Sequence, residues 1–340
     1  MTEGMFESLL LGMAFVASCA GTGIVRVYAL KRQLLDVPGE RSSHTRPTPL
    51  GGGLAIAAMF LSAIVFLRAI DAIPIAPFMA LFGGGAAVAA VGFWDDHTPV
   101  PACLRIVAHF IAGAWALYWL GGLPALSVDH HLWDLGWAGD LAGLVAIVWL
   151  LNLYNFMDGI DGMVGIEAVT VSATACLIMA ADKPDASLLW LGLLGTTTLG
   201  FLPWNWPPAR IFMGDVGSGF VGFILAILAL YTLHKGALTL WTWAILQGVF
   251  IVDATVTLLR RIIRREEWYR AHRSHAYQHA AARWNSHRAV TLAVLAINIL
   301  WLAPLAWFVD KHPAWGLFAT CVALIPLVCA ALMLNAGRPE

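Results

Sequence analysis

Apolar residues run through this chain in long unbroken blocks, not in the alternation of a half-buried strand or the single stripe of a water-facing helix. A hydrocarbon layer about 30 Å thick needs roughly 20 apolar residues per helix. Windows of that length fall near residues 6–28, 51–68, 74–93, 103–120, 139–156, 163–181, 187–202, 216–234, 237–259, 288–309 and 314–335. The pattern predicts an all-α polytopic membrane protein with about 10–11 transmembrane helices. A transmembrane barrel is excluded by the period, because its strands alternate apolar and polar residues. The first block is long and flanked by Glu3 and Glu7 with no basic stretch before it, so it reads as a retained span and not a cleavable signal.

Composition agrees. Of 340 residues, 60% are hydrophobic and only 12% charged, and the mean hydropathy is +0.75, more than a water-soluble domain can cover. The net charge of −1 gives no reason to expect nucleic-acid binding. The five cysteines lack C-x-x-C spacing and read as core thiols. The whole chain, 1–340, reads as one membrane domain.

Charge sets the expected orientation. With the N-terminus outside, the inner loops hold Lys31, Arg32, Arg41, Arg46, Arg105, Arg210 and a basic group from Arg260 to Arg288, while the outer loops hold Arg68, Lys183, Lys235 and Lys311. Basic residues collect on the cytoplasmic side, so the cytoplasmic loops are placed at about 29–50, 94–103, 152–162, 203–215 and 260–287.

The same map sorts the acids. Outer aspartates scatter among loops, but Asp36, Asp95, Asp96, Asp158, Asp161, Asp215 and Asp253 fall at or near inner span ends. Carboxylates within a span cost about 2.5–3.5 kcal/mol on insertion scales and default to functional hypotheses. Asp253 lies two turns before Arg260 and reads either as part of the site or as a buried partner for an arginine or helix end.

Five inner segments carry candidate chemistry. In NLYNFMDGIDGM, a helix continuing through the stretch would put Asn152, Asn155, Asp158 and Asp161 on one oxygen-rich face. Hard oxygen donors without histidine or cysteine suit Mg²⁺, with Mn²⁺ as an alternative. GFWDDHTPV holds adjacent Asp95 and Asp96, which need a shared cation, a basic partner or a proton. In PARIFMGDVGSGF, Asp215 opens a helix whose free backbone N–H groups could bind an anion while Asp215 ligates the anion's metal. DVPGERSSHTRPTPLGGG offers Arg41, His44 and Arg46 as phosphate donors. In the last inner loop His272, His275 and His279 share one face if helical, and Arg273 beside them argues for an anion over zinc.

These segments, in this order, resemble the polyprenyl-phosphate N-acetylhexosamine-1-phosphate transferase superfamily, the MraY and WecA type. The resemblance runs from Asp36 to Gln278. The last motif reads His-Arg-Ser-His instead of consecutive histidines, which is similar to the branch that initiates O-antigen, lipopolysaccharide and other cell-envelope polysaccharides. The resemblance implies transfer of a sugar 1-phosphate from a UDP-N-acetylhexosamine (GlcNAc, or a deoxy amino sugar such as FucNAc or QuiNAc) to undecaprenyl phosphate, with release of UMP. It implies a Mg²⁺-dependent enzyme of the bacterial inner membrane, working at the cytoplasmic face, and it allows a homodimer. By motif position Asp215 resembles the principal magnesium ligand, with Asp95 and Asp96 beside it and Asp158 and Asp161 lining the same pocket. Phe212 resembles the aromatic that stacks on uracil, and His272 and His275 the histidines at the diphosphate. The rival reading is a secondary transporter with an inward-facing acidic site, which would place its polar residues near the bilayer midplane.

Overall fold

Where the sequence runs apolar the chain is helical. The structure is a computed structural model and describes residues 2–39, 46–128, 131–266 and 273–338. Thirteen helices are described: α1 (Glu3–Arg32), α2 (Gly53–Ala69), α3 (Ile75–His97), α4 (Ala102–Leu120), α5 (Gly136–Phe156), α6 (Met163–Asp182), α7 (Ser187–Asn205), α8 (Asp215–Lys235), α9 (Leu240–Leu246), α10 (Gly248–Ile263), α11 (Ala276–Trp284), α12 (His287–Lys311) and α13 (Gly316–Met333). Among the described residues nine helices are long and apolar enough to cross a membrane, and ten if α9 and α10 are one span. The remaining expected span is α2, whose 17 residues fall short of the roughly 20 a full crossing needs.

One expected span is broken. The window 237–259 becomes α9 and α10, bent by 75°. Gln247 sits at the break, and its side-chain oxygen accepts the Tyr154 hydroxyl at 2.7 Å. Gly248 follows at once as the first residue of α10, and a Cβ there would lie 2.7 Å from Leu324, so the bend sits where a glycine lets α13 approach. α12 instead carries a π-helical turn, Asn298–Leu302, just before Pro304, whose ring removes an N–H from the ladder. There Asn298 donates to Glu167 Oε2 at 2.7 Å and to Thr170 at 2.8 Å, deep in the bundle.

The core is centred on α8, whose side chains are almost all buried. α3 and α5 pack along it, and α1 and α6 clasp α7 beside it. The outward positions are apolar as well: Ile24, Tyr118, Leu300 and Phe318 are all exposed. An apolar exterior of this extent marks a membrane surface. At one end of the bundle α3, α5 and α10 finish and α8 begins. Leu35–Asp36 (β1) pairs antiparallel with Thr48–Pro49 (β2) there, with Asp36 opposite Thr48.

Candidate active site

The start of α8 is fixed by α3. Gly214 has φ +77°, and the next two backbone N–H groups, of Asp215 and Val216, donate to Asp96 at 2.8 and 3.3 Å. The amides expected to bind an external anion are therefore already capped by a carboxylate. The Asp215 side chain accepts from Arg105 Nη1 on Oδ2 and from Asn155 Nδ2 on Oδ1, both at 2.8 Å. Arg105 also holds Asp95.

The turn between α5 and α6 differs from expectation. The helix stops at Phe156 instead of running through Asp158 and Asp161, and α6 is entered from Gly162 at φ +76°. A continuous oxygen-rich stripe is thus not formed: Asn152 bonds back to the Val148 carbonyl at 2.7 Å. Asp161 is held by the Ala209 N–H at 3.0 Å and by His287 Nδ1 at 3.3 Å. Burial pushes the Asp158 carboxyl well above the usual carboxylate range, and the neighbouring charges of Asp215, Asp96 and Asp161 add to the effect.

These pieces enclose a cavity of about 370 Å³. Of the residues singled out in the sequence, Asp96, Asn155, Asp158, Asp161, Phe212 and Asp215 line it. Phe212 is pinned by its backbone, donating to the Pro49 carbonyl and accepting from Gly52 N–H, each at 2.8 Å. Asp95 is a correction: it faces Arg105 and accepts the Val100 N–H at 2.6 Å, away from the cavity lining. Asn152, Arg46 and Arg273 are not among the described lining residues. Arg41, His44 and His272 lie outside the described residues.

The histidine face expected in the last loop also resolves differently. His275 is buried, caps α11 and meets Asp253 at 3.2 Å. Asp253 in turn accepts the N–H groups of Ala276 and Tyr277, each at 2.9 Å, so it is the buried partner of a helix end. His279 donates to the Arg338 carbonyl at 3.1 Å.

Asp36, one of the inner acids of the sequence, lines the cavity as well, whereas sequence reasoning missed three polar lining residues: Asn205, Gln278 and His287. Asn205 joins two loops, accepting from Gly162 N–H at 2.8 Å and donating to the Ile211 carbonyl at 3.0 Å. His287 opens α12 after its N-cap Ser286, 126 residues beyond Asp161, so no local spacing could have paired them. Arg105 does carry a signal in the sequence, a lone basic residue following the Asp95–Asp96 pair.

The donor set bears on a metal. Among the described residues no three His, Cys, Asp or Glu side chains form a ready-made metal cage. Mg²⁺ does not require one, since it binds through one or two carboxylates together with substrate phosphates and water. A buried group of like-charged carboxylates around Asp158 fits a hard divalent cation. Asp96 is fixed by the backbone N–H groups of α8 and Asp95 does not line the cavity; Asp215 and Asp158 do line it, and the donors on Asp215, Arg105 and Asn155, are side chains that can turn aside for a cation.

Comparison with known proteins gives a consistent result. A family profile described as glycosyl transferase family 4 matches residues 78–233, the stretch from α3 to α8 that carries most of the cavity's acids. The chain is 30% identical over 288 residues to a probable undecaprenyl-phosphate N-acetylglucosaminyl 1-phosphate transferase of Bacillus subtilis (strain 168), covering 82% of this chain and 78% of that protein. It is 27% identical over 340 residues to a decaprenyl-phosphate N-acetylglucosaminephosphotransferase of Mycobacterium leprae, covering 88% and 82%. A phospho-N-acetylmuramoyl-pentapeptide-transferase of Moorella thermoacetica is 30% identical over 187 residues, 51% of this chain and 57% of that one.

Proposed function

The chain belongs to glycosyl transferase family 4, within the polyprenyl-phosphate N-acetylhexosamine-1-phosphate transferase superfamily, and from that premise we propose that it transfers a sugar 1-phosphate from a UDP-N-acetylhexosamine to undecaprenyl phosphate, releasing UMP. GlcNAc is the first donor to try, because that sugar stands in the names of the relatives with the greatest coverage. The product would begin an O-antigen or other envelope polysaccharide. The observation that carries the reading is the single cavity in which Asp96, Asp158, Asp161 and Asp215 meet beside Phe212 at one end of the bundle. Acids gathered at an end, within a transferase family, remove the ground for a transporter, whose site belongs near the midplane. The excess of Lys and Arg in the loops at that end supports a cytoplasmic cavity in the bacterial inner membrane.

The chemistry is phosphoryl transfer, in which positioning and charge neutralisation supply most of the catalysis. An oxygen of the acceptor phosphate attacks the β-phosphorus of the donor, the bond from that phosphorus to UMP breaks, and UMP leaves. The acceptor's second pKa is about 6, so at neutral pH it arrives largely dianionic and removing its proton contributes little. A bound Mg²⁺, held by Asp215 and Asp158, would neutralise the two phosphates' repulsion. Arg105 and Asn155 fix the Asp215 carboxylate from two sides, and Phe212 offers a ring face for the base. Direct attack is preferred to an aspartyl intermediate because it needs a single displacement at phosphorus, and a UMP burst before the lipid is added would favour the covalent route.

The test is UMP release by the purified protein in detergent with a panel of UDP-N-acetyl sugars, undecaprenyl phosphate and Mg²⁺. Release is expected to require both lipid and divalent metal, with no UMP burst before the lipid is added. A folded protein that releases no UMP from any donor would overturn the reading. In the same assay His287→Ala is expected to raise the donor KM about three- to tenfold, the cost of one lost neutral hydrogen bond, with the acceptor KM unchanged. An unaltered donor KM would remove His287 from the binding wall.

A further inference from the structure

A second, larger cavity of about 730 Å³ opens where α10 ends, and its described lining residues, Arg260, Ile263, Arg264 and Arg338, are all absent from the first. The basic run at the end of α10 is not uniform. Arg261 is buried and bonded to Glu266 at 2.9 Å, so it belongs to the fold. Arg264 shares that same carboxylate at 3.2 Å. Arg260 donates to the Ala336 carbonyl at 2.7 Å and Arg338 to the Asn335 side-chain oxygen at 3.3 Å. Among the described residues these two guanidinium groups are met by neutral oxygens and not by a carboxylate.

The cleft is built by the fold. After α13 the chain turns back through Gly337, at φ +72°, whose N–H donates to the Ser274 carbonyl at 2.6 Å. His279 then holds the Arg338 carbonyl, which brings Arg338 beside arginines more than seventy positions earlier. Topological anchoring needs basic residues only in number and gives no reason for this convergence. The lining is not all polar: Ile263, 78% exposed, stands among the arginines, and Leu259 and Ile262 of the same last turns of α10 are open as well. Guanidinium groups above exposed aliphatic side chains, at the end of a membrane helix, match a phosphodiester carried on acyl chains.

We propose that Arg260, Arg264 and Arg338 form a seat for the headgroup of an anionic phospholipid. The site is separate from the carboxylate cavity and stands whether or not the transferase reading does. The test is native mass spectrometry of the full chain, titrated with phosphatidylglycerol or phosphatidylcholine, with inorganic phosphate as competitor. Phosphatidylglycerol is expected to bind the wild type at least about tenfold tighter than phosphatidylcholine. At about 1 kcal/mol per basic residue near a membrane, Arg264→Gln with Arg338→Gln should weaken phosphatidylglycerol about thirtyfold. Arg264→Gln alone, which removes one guanidinium of the seat and leaves the Arg261–Glu266 pair in place, should weaken it about fivefold. Arg283→Gln, an exposed arginine outside the cleft, should change nothing. Unchanged lipid affinity in the double variant overturns the seat. An equal loss in Arg283→Gln reduces it to diffuse surface charge, and displacement of the lipid by millimolar phosphate reduces it to a simple anion site.

Discussion

Asp215→Asn is expected to lower sugar-1-phosphate transfer by at least about a hundredfold, the scale of losing one preorganised charge contact in an active site, while the bundle stays folded. The substitution keeps the shape and removes the charge. Asp215 sits between two donors, Arg105 on one oxygen and Asn155 on the other. An amide in that place can accept from Arg105 only with its NH₂ towards Asn155, so Asn155 must flip and give up its own donation to Ser218. The carboxylate that would hold a divalent cation is lost, and Arg105 keeps only Asp95. Folding should tolerate the change because the backbone cap on Asp96 is untouched, and the melting temperature is expected to stay within about 3 °C of wild type. UMP release measured across a Mg²⁺ titration separates the effects, because a variant rescued fully by high metal would show Asp215 to tune affinity only. Wild-type turnover at ordinary metal would remove Asp215 from the mechanism.

Most of the helical framework was legible because bilayer thickness imposes a length that local sequence must satisfy. The broken span was not, since the contacts at the bend are distant in sequence: Gln247 meets Tyr154, 93 residues away. The acids were legible as residues out of place in lipid, and Asp36, Asp96, Asp158, Asp161 and Asp215 do share a cavity. Their individual duties were not. Asp95 and Asp96 are neighbours in sequence, yet successive helical side chains point apart, and one takes an arginine while the other caps α8. The turn after Phe156 read as helix because Asn155, Asp158 and Asp161 have helical spacing, but glycines at 159 and 162 cost the helix more than that spacing returns. His275 carried a motif position and proved to serve Asp253 and α11, whereas His287 carried none and lines the cavity. Long-range pairing decides such cases, and one sequence does not display it.

Gly92→Ala is the second large effect, expected although no substrate need touch that residue. A Cβ at Gly92 would lie 2.5 Å from the Asp215 carbonyl oxygen and 2.6 Å from both the Asp215 carbonyl carbon and the Val216 nitrogen. These are backbone atoms of the first turn of α8 and cannot rotate aside. The same turn is pressed from α2, where a Cβ at Gly53 would fall 2.2 Å from Gly217 Cα. With α2 and α3 both closed on it by glycine, relief requires α3 to move by about 1 Å, and misplacement of that size can cost about a hundredfold in rate. Overpacking of a core typically costs about 1–3 kcal/mol as well. Helix propensity points the other way, since Ala is better than Gly in a helix interior by about 1 kcal/mol, so a loss cannot be assigned to weakened helix. Gly219→Ala provides the contrast on α8 itself: its nearest neighbour would be Leu151 at 3.5 Å, an ordinary contact, and turnover within about twofold of wild type is expected. UMP-release rates and melting temperatures of the two variants, measured side by side, decide the point. Gly92→Ala with wild-type turnover would mean that the register of α3 on α8 does not set the position of Asp215.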